Sequence, residues 1–165
     1  MANRAYLYPS DNSQQWECED YEGVYYDSRH TFPLLWWFLF EEDSIFLVDI
    51  DYDGSKWKEI RLRAERSRAI ERLTRRVCRH SSRLGLLIDR AIIDLFIERI
   101  TQWKGKYIFV DPSEVFQDES EEDYPKVLDF IASVDSDFNH FEMSYGHGDV
   151  PDDTVEVKLV GYTYR

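Results

Sequence analysis

The sequence predicts an α+β domain, a small and mostly antiparallel sheet packed against about three to four helices. Two patterns point there. Short apolar or alternating runs at 5–8, 45–50, 106–110 and 154–164 suit strands, while 58–79, 87–103 and 124–135 carry apolar residues at helical spacing. The 165 residues suit a single domain. With 43% apolar and 16% aromatic residues, the chain is too hydrophobic to remain disordered.

Ala5 to Tyr8 is expected as a first strand, ended by the turn signal Pro9-Ser10-Asp11-Asn12-Ser13. Residues 9–32 are expected to be irregular, with Trp16, Tyr21, Tyr25 and Tyr26 among acids. Pro33 suits a helix start. The run Leu34-Leu35-Trp36-Trp37-Phe38-Leu39-Phe40 then forms a short buried helix, stopped by Glu41-Glu42-Asp43. It falls far short of the roughly 20 residues that cross a bilayer. Ile45 to Ile50 predicts a buried strand.

Ala69, Ile70, Leu73 and Val77 predict a helix over about 58–79, with arginines filling its other faces. A second helix is expected over 87–103. Its stripe is Ile88, Ala91, Ile92, Leu95, Phe96, Ile100 and Trp103, opposite Asp89, Asp94, Glu98 and Gln102, and Gly105 ends it. Lys106 to Val110 predicts a second buried strand, with a turn at Asp111-Pro112-Ser113-Glu114. Ser120 and Asp123 resemble a capping box before a helix that carries Tyr124, Val127, Leu128, Ile131 and Val134. Residues 139–153 suit a loop, and Thr154 to Tyr164 a half-buried strand.

The net charge is −13, unevenly spread. Residues 56–90 hold twelve Lys or Arg against four acids, a balance of +8, and the remainder of the chain carries −21. An acidic surface repels nucleic acid and speeds encounter with basic partners. The basic segment suits neutralisation of the 117–123 acids, or a homodimer contact. Gripping phosphates with Arg61 to Arg83 is the less favoured use, because the arginines surround their helix.

Catalytic and metal motifs are weak. Asp49-x-Asp51-x-Asp53-Gly54 matches half of a calcium loop, but Ile60 stands where a bidentate Glu belongs, so the solvated end of a strand and its turn is the simpler reading. His140, His147 and Asp149 match no defined metal motif. Cys18 and Cys78 are expected as reduced thiols, with Cys78 buried and inert. No Walker loop, dinucleotide fingerprint or G-x-S-x-G occurs. The chain is therefore expected to be non-enzymatic, with no cofactor and no bound metal. The first residues lack the apolar core of a secretory signal, so a cytoplasmic location is expected.

Three segments carry a family resemblance: Met1-Ala2-Asn3-Arg4-Ala5-Tyr6-Leu7-Tyr8, Phe109-Val110-Asp111-Pro112-Ser113-Glu114-Val115-Phe116, and Val160-Gly161-Tyr162. The chain resembles an uncharacterised bacterial family of small proteins that begin M-A-N-R-[A/S]-Y-L-Y. Small acidic proteins of this kind are similar to toxin-immunity proteins, which bind and block. The resemblance implies a protein partner with a basic surface, such as a toxin domain. Asp118, Glu119, Glu121, Glu122, Asp123, Asp149, Asp152 and Asp153 are the candidate steering acids, and Trp16, Tyr25 and Tyr145 the candidate aromatic anchors. A metal-dependent hydrolase and a nucleic-acid-binding regulator built on the Arg-rich helix are the alternatives.

Overall fold

The computed structural model describes residues 4–14, 23, 25–29, 32–82, 90–112, 124–136 and 162–164. The steering acids of 118–123 and 149–153 lie outside the described residues, as do Trp16, Tyr145, Cys18, His140 and His147.

Among the described residues six strands form one sheet: β1 (Arg4–Ser10), β2 (Tyr25–Arg29), β3 (Ile45–Tyr52), β4 (Ser55–Glu65), β5 (Tyr107–Asp111) and β6 (Tyr162–Tyr164). Their spatial order is β3-β4-β5-β1-β2-β6, and every neighbouring pair is antiparallel. Among the described residues the main helices are α1 (Leu34–Trp37), α2 (Arg66–Arg79), α3 (Arg90–Gln102) and α4 (Tyr124–Ser136). The α+β class is as the sequence predicts. No helix among the described residues is long and apolar enough to cross a membrane.

Register explains the core. Ile45 opposes Leu62, Leu62 opposes Val110, Val110 opposes Leu7, and Leu7 opposes Tyr26. Successive strand residues point to opposite faces, so this row lies on one side of the sheet. There it meets Ala69, Leu73 and Val77 of α2, Ile93, Phe96 and Ile100 of α3, Val127, Ile131 and Val134 of α4, and the whole 34–40 run. The other face is aromatic, with Tyr8 stacked on Phe109 at 5.6 Å between ring centroids.

Several expectations are corrected. The basic segment is not one helix: residues 55–65 form β4, whose Ile60, Leu62 and Ala64 face the core while Arg61 and Arg63 face away. Residues 9–32 contain β2, where Tyr25 is half-buried and meets the Tyr6 ring edge-on at 6.0 Å. Strand β1 runs through Pro9 to Ser10, because its pairing with β2 covers only Arg4 to Leu7 and the missing proline N–H falls beyond it. The helix expected over 34–40 keeps helical form only through Trp37, and Glu42–Ser44 adds a single tight turn. β3 is an edge strand, with Phe46, Leu47 and Val48 half-buried. On α3 the buried stripe is Ile93, Phe96 and Ile100, while Leu95 is 40% exposed.

Gly105 ends α3 as expected, and its surroundings give a second reason for glycine. Its φ is +116°, and a Cβ there would lie 3.0 Å from the Ser10 backbone nitrogen. This close approach joins α3 to β5 beside the end of β1.

Candidate functional site

Helix α2 carries the densest charge in the described structure. Ala69, Arg72, Leu73, Arg76 and Val77 share its buried face, at the three- and four-residue spacing normally filled by apolar side chains. Burying a guanidinium is tolerable only when its donors are all engaged. Here they are engaged by acids that flank the 34–40 run and close α4.

Arg76, 1% exposed, is the hub. Its Nε donates to both carboxylate oxygens of Asp135, at 3.1 and 3.2 Å, and its Nη2 donates to Oδ2. Its Nη1 donates to the carbonyls of Trp37, Phe38 and Phe40, at 3.3, 3.2 and 2.6 Å. Those carbonyls lie at and beyond the end of α1, where helical partners run out. One side chain therefore ties together α1, α2 and α4.

The remaining arginines repeat the arrangement. Arg72 Nε lies 3.0 Å and Arg75 Nη2 3.1 Å from Glu41 Oε1, and Arg79 joins Asp135 at 3.3 Å. Arg61, on β4, pairs with Glu59 and lies 3.4 Å from Asp111. The Arg63 guanidinium sits 4.4 Å from the Phe46 ring centroid and 5.5 Å from that of Tyr107, and it donates to the Ser13 carbonyl. Arg66 donates to the carbonyls of Gly105 and Thr101, Arg68 lies near Glu65, and Arg90 pairs with Asp94. Among the described residues the acids that meet these arginines are Glu41, Asp43, Glu59, Glu65, Asp94, Asp111 and Asp135. The 117–123 acids that the sequence suggested lie outside the described residues.

An open hollow of about 570 Å³ lies against this network, lined by Glu41, Glu42, Asp43, Arg76, Ile131, Ala132, Asp135 and Ser136. Its rim is acidic, and the guanidinium in its wall is already engaged by Asp135 and three backbone carbonyls.

Hydrogen bonding from Arg76 holds the Asp135 carboxyl below its ordinary value of 3.8, against the opposing effect of burial. Burial likewise lowers His80 from 6.5, only partly offset by its Nε2 contact with the Val134 carbonyl at 3.1 Å. Both folded-state values are depressed, so both contributions are complete above the unfolded values and are lost as pH falls through the folded ones. Stability should therefore begin to fall below about pH 6.5 through His80 and fall further below about 3.8 through Asp135. Urea titrations across pH should show the first phase vanish in His80→Gln. Persistence of that phase would place the proton uptake elsewhere.

The sequence-derived candidates fare differently. Asp49 and Asp51 stand on one face of β3, opposite Lys58 and Lys56, and the Lys56 ammonium lies 3.3 Å from Asp51. Asp53 and Gly54 have φ of 50° and 81°, and Tyr52 opposes Ser55. The Asp-Gly pair is therefore a two-residue hairpin turn, which requires positive φ at both positions. No group of three or more metal-ligating side chains occurs among the described residues. Cys78 is exposed, contrary to expectation, because it follows Val77 off the buried stripe. Sequence reasoning missed Arg72 and Arg76 as buried groups, although their phase with Ala69, Leu73 and Val77 was the available signal.

Comparison with family models, with curated proteins and with solved structures finds no match.

Proposed function

We propose that this chain is a non-enzymatic binding protein that docks a basic macromolecule, in the manner of a cytoplasmic immunity protein occupying a toxin's basic surface. The observation that carries this reading is the engagement of the arginines. Every described arginine from Arg61 to Arg90 contacts a carboxylate, a backbone carbonyl or an aromatic ring. Arg61, Arg72 and Arg76 spend their charge inside the fold, the exposed Arg68, Arg75, Arg79 and Arg90 each face a carboxylate, and a chain of net charge −13 meets its surroundings as an anion. That favours a positively charged partner over nucleic acid. The acids of 118–123 and 149–153 supply the steering, with Trp16, Tyr25 and Tyr145 as anchors.

The test is stopped-flow association with the basic partner co-purified from the native host at low salt. The triple variant Glu121→Lys, Glu122→Lys, Asp123→Lys should associate about tenfold more slowly and lose most of its salt dependence. Equal rates for variant and parent would remove these acids from the interface. A gel shift with duplex DNA at low salt would turn the reading towards nucleic acid.

A further inference from the structure

We infer that the outer edge of β3 is a docking edge for an extended, lysine-rich segment of a partner protein, which adds to the sheet as a further strand. β3 ends the sheet, and no described strand pairs with its second side. The Ile45 carbonyl already accepts from the Tyr124 hydroxyl of α4, at 3.3 Å, so the stretch from Leu47 to Asp51 is the part of the edge that offers backbone donors and acceptors to an incoming strand. Among the described residues, β4 pairs with β5 only over Leu62 to Glu65, leaving Phe46 to Arg61 as a two-stranded arm.

The two faces of that arm differ in chemistry. On the face continuous with the core, Asp49 and Asp51 lie exposed at the outer edge, with Lys58 and Lys56 across from them on β4. On the opposite face, half-buried Phe46, Val48 and Ile50 alternate with these acids, and Trp57, 42% exposed, lies opposite Ile50. An added strand would therefore meet carboxylates at alternate positions on one face and apolar side chains on the other. Its complement is lysine or arginine alternating with apolar residues, and β4 presents that pattern on the inner side as Lys56-Trp57-Lys58. Asp51 remains 58% exposed beside Lys56, so it is open to a second cation on its outer side.

Charge also disfavours the self-pairing of two copies that centres on Ile50. Antiparallel pairing of two β3 strands about Ile50 would set each Asp49 opposite the other copy's Asp51, and like charges directly opposed repel. The inference rests on the proposed role as a binder of basic proteins and specifies the edge involved.

The experiment titrates the full chain with a blocked peptide that alternates lysine and valine over the length of β3, read by calorimetry and amide exchange. Binding should slow exchange of the Leu47, Asp49 and Asp51 amides, which alternate with those already bonded to β4, and a glutamate-for-lysine peptide should not bind. Asp49→Lys with Asp51→Lys should weaken binding about tenfold or more, and the milder Asp49→Asn with Asp51→Asn should fall between, with sheet content checked by circular dichroism. Undiminished binding by the lysine variant, or by a peptide whose alternate amides are N-methylated, would overturn strand addition. So would protection that appears away from β3, or a concentration-dependent dimer that protects β3 without peptide. If the native partner still binds the lysine variant at full strength, the edge is wrong and the broader binding role stands. If the charge reversal at 121–123 has no effect while the peptide binds β3, the acids outside the arm are wrong instead.

Discussion

Arg76→Ala should destabilise the fold by about 3–5 kcal/mol, because it leaves buried carbonyls and a carboxylate without their shared donor. Against a typical stability of about 5–15 kcal/mol, that is a large share. The loss has two parts. The carbonyls of Trp37, Phe38 and Phe40 lose a common donor inside the core, and Asp135 loses the guanidinium that makes its charge tolerable. Arg76→Lys keeps the charge but cannot reproduce a planar fork that reaches both sets of acceptors, so it should recover only part of the loss. Asp135→Asn should cost less than Arg76→Ala, since the Asp135 side chain is 35% exposed and water can replace part of the contact. Urea unfolding of the three variants measures the ranking. If Arg76→Ala cost no more than Asp135→Asn, the carbonyl contacts would carry no weight.

Trp36→Ala should have an effect of similar size, about 3–5 kcal/mol, from lost burial and the cavity left behind. Trp36 is fully buried, and its ring meets Phe32 edge-on at 5.4 Å. Its backbone also forms part of α1, with its N–H donating to the Pro33 carbonyl and its carbonyl accepting from the Leu39 N–H. Trp36→Phe retains an aromatic ring and should lose less. Trp57→Ala is the matched control: the same substitution at an exposed hairpin position should cost under about 1 kcal/mol. Equal losses at the two tryptophans, measured by chemical denaturation, would show that the 34–40 run does not anchor the core.

Much of the fold was legible where apolar content and spacing spoke with one voice. The 34–40 run is buried throughout, Tyr107–Asp111 is a strand, and Val127, Ile131 and Val134 face inward as their spacing predicts. Legibility failed where two signals competed. In 55–65 the period-two alternation of Ile60, Leu62 and Ala64 marks a strand, yet the surrounding lysines and arginines favour helix in isolation. In α3 the run Ala91 to Ile97 has apolar residues on so wide an arc that its buried centre could not be fixed. Packing against Tyr26 selects Phe96, whose ring lies 5.1 Å away. The candidate docking edge was half-legible: Asp-Gly at 53–54 is a strong hairpin signal, but the free side of β3 depends on the strand order.

The sequence by itself determined the α+β class, the aromatic core segment and the excess of negative charge, since these follow from local periodicity and from counting ionisable groups. Only the tertiary structure decided where the arginines spend their charge. Pairing of Arg76 with Asp135, or of Arg72 with Glu41, joins residues far apart in the chain, and their proximity is set by how α1, α2 and α4 pack on one sheet face. Local sequence specifies which groups are ionised, whereas the fold specifies which of them meet, because Coulomb attraction depends on separation and burial.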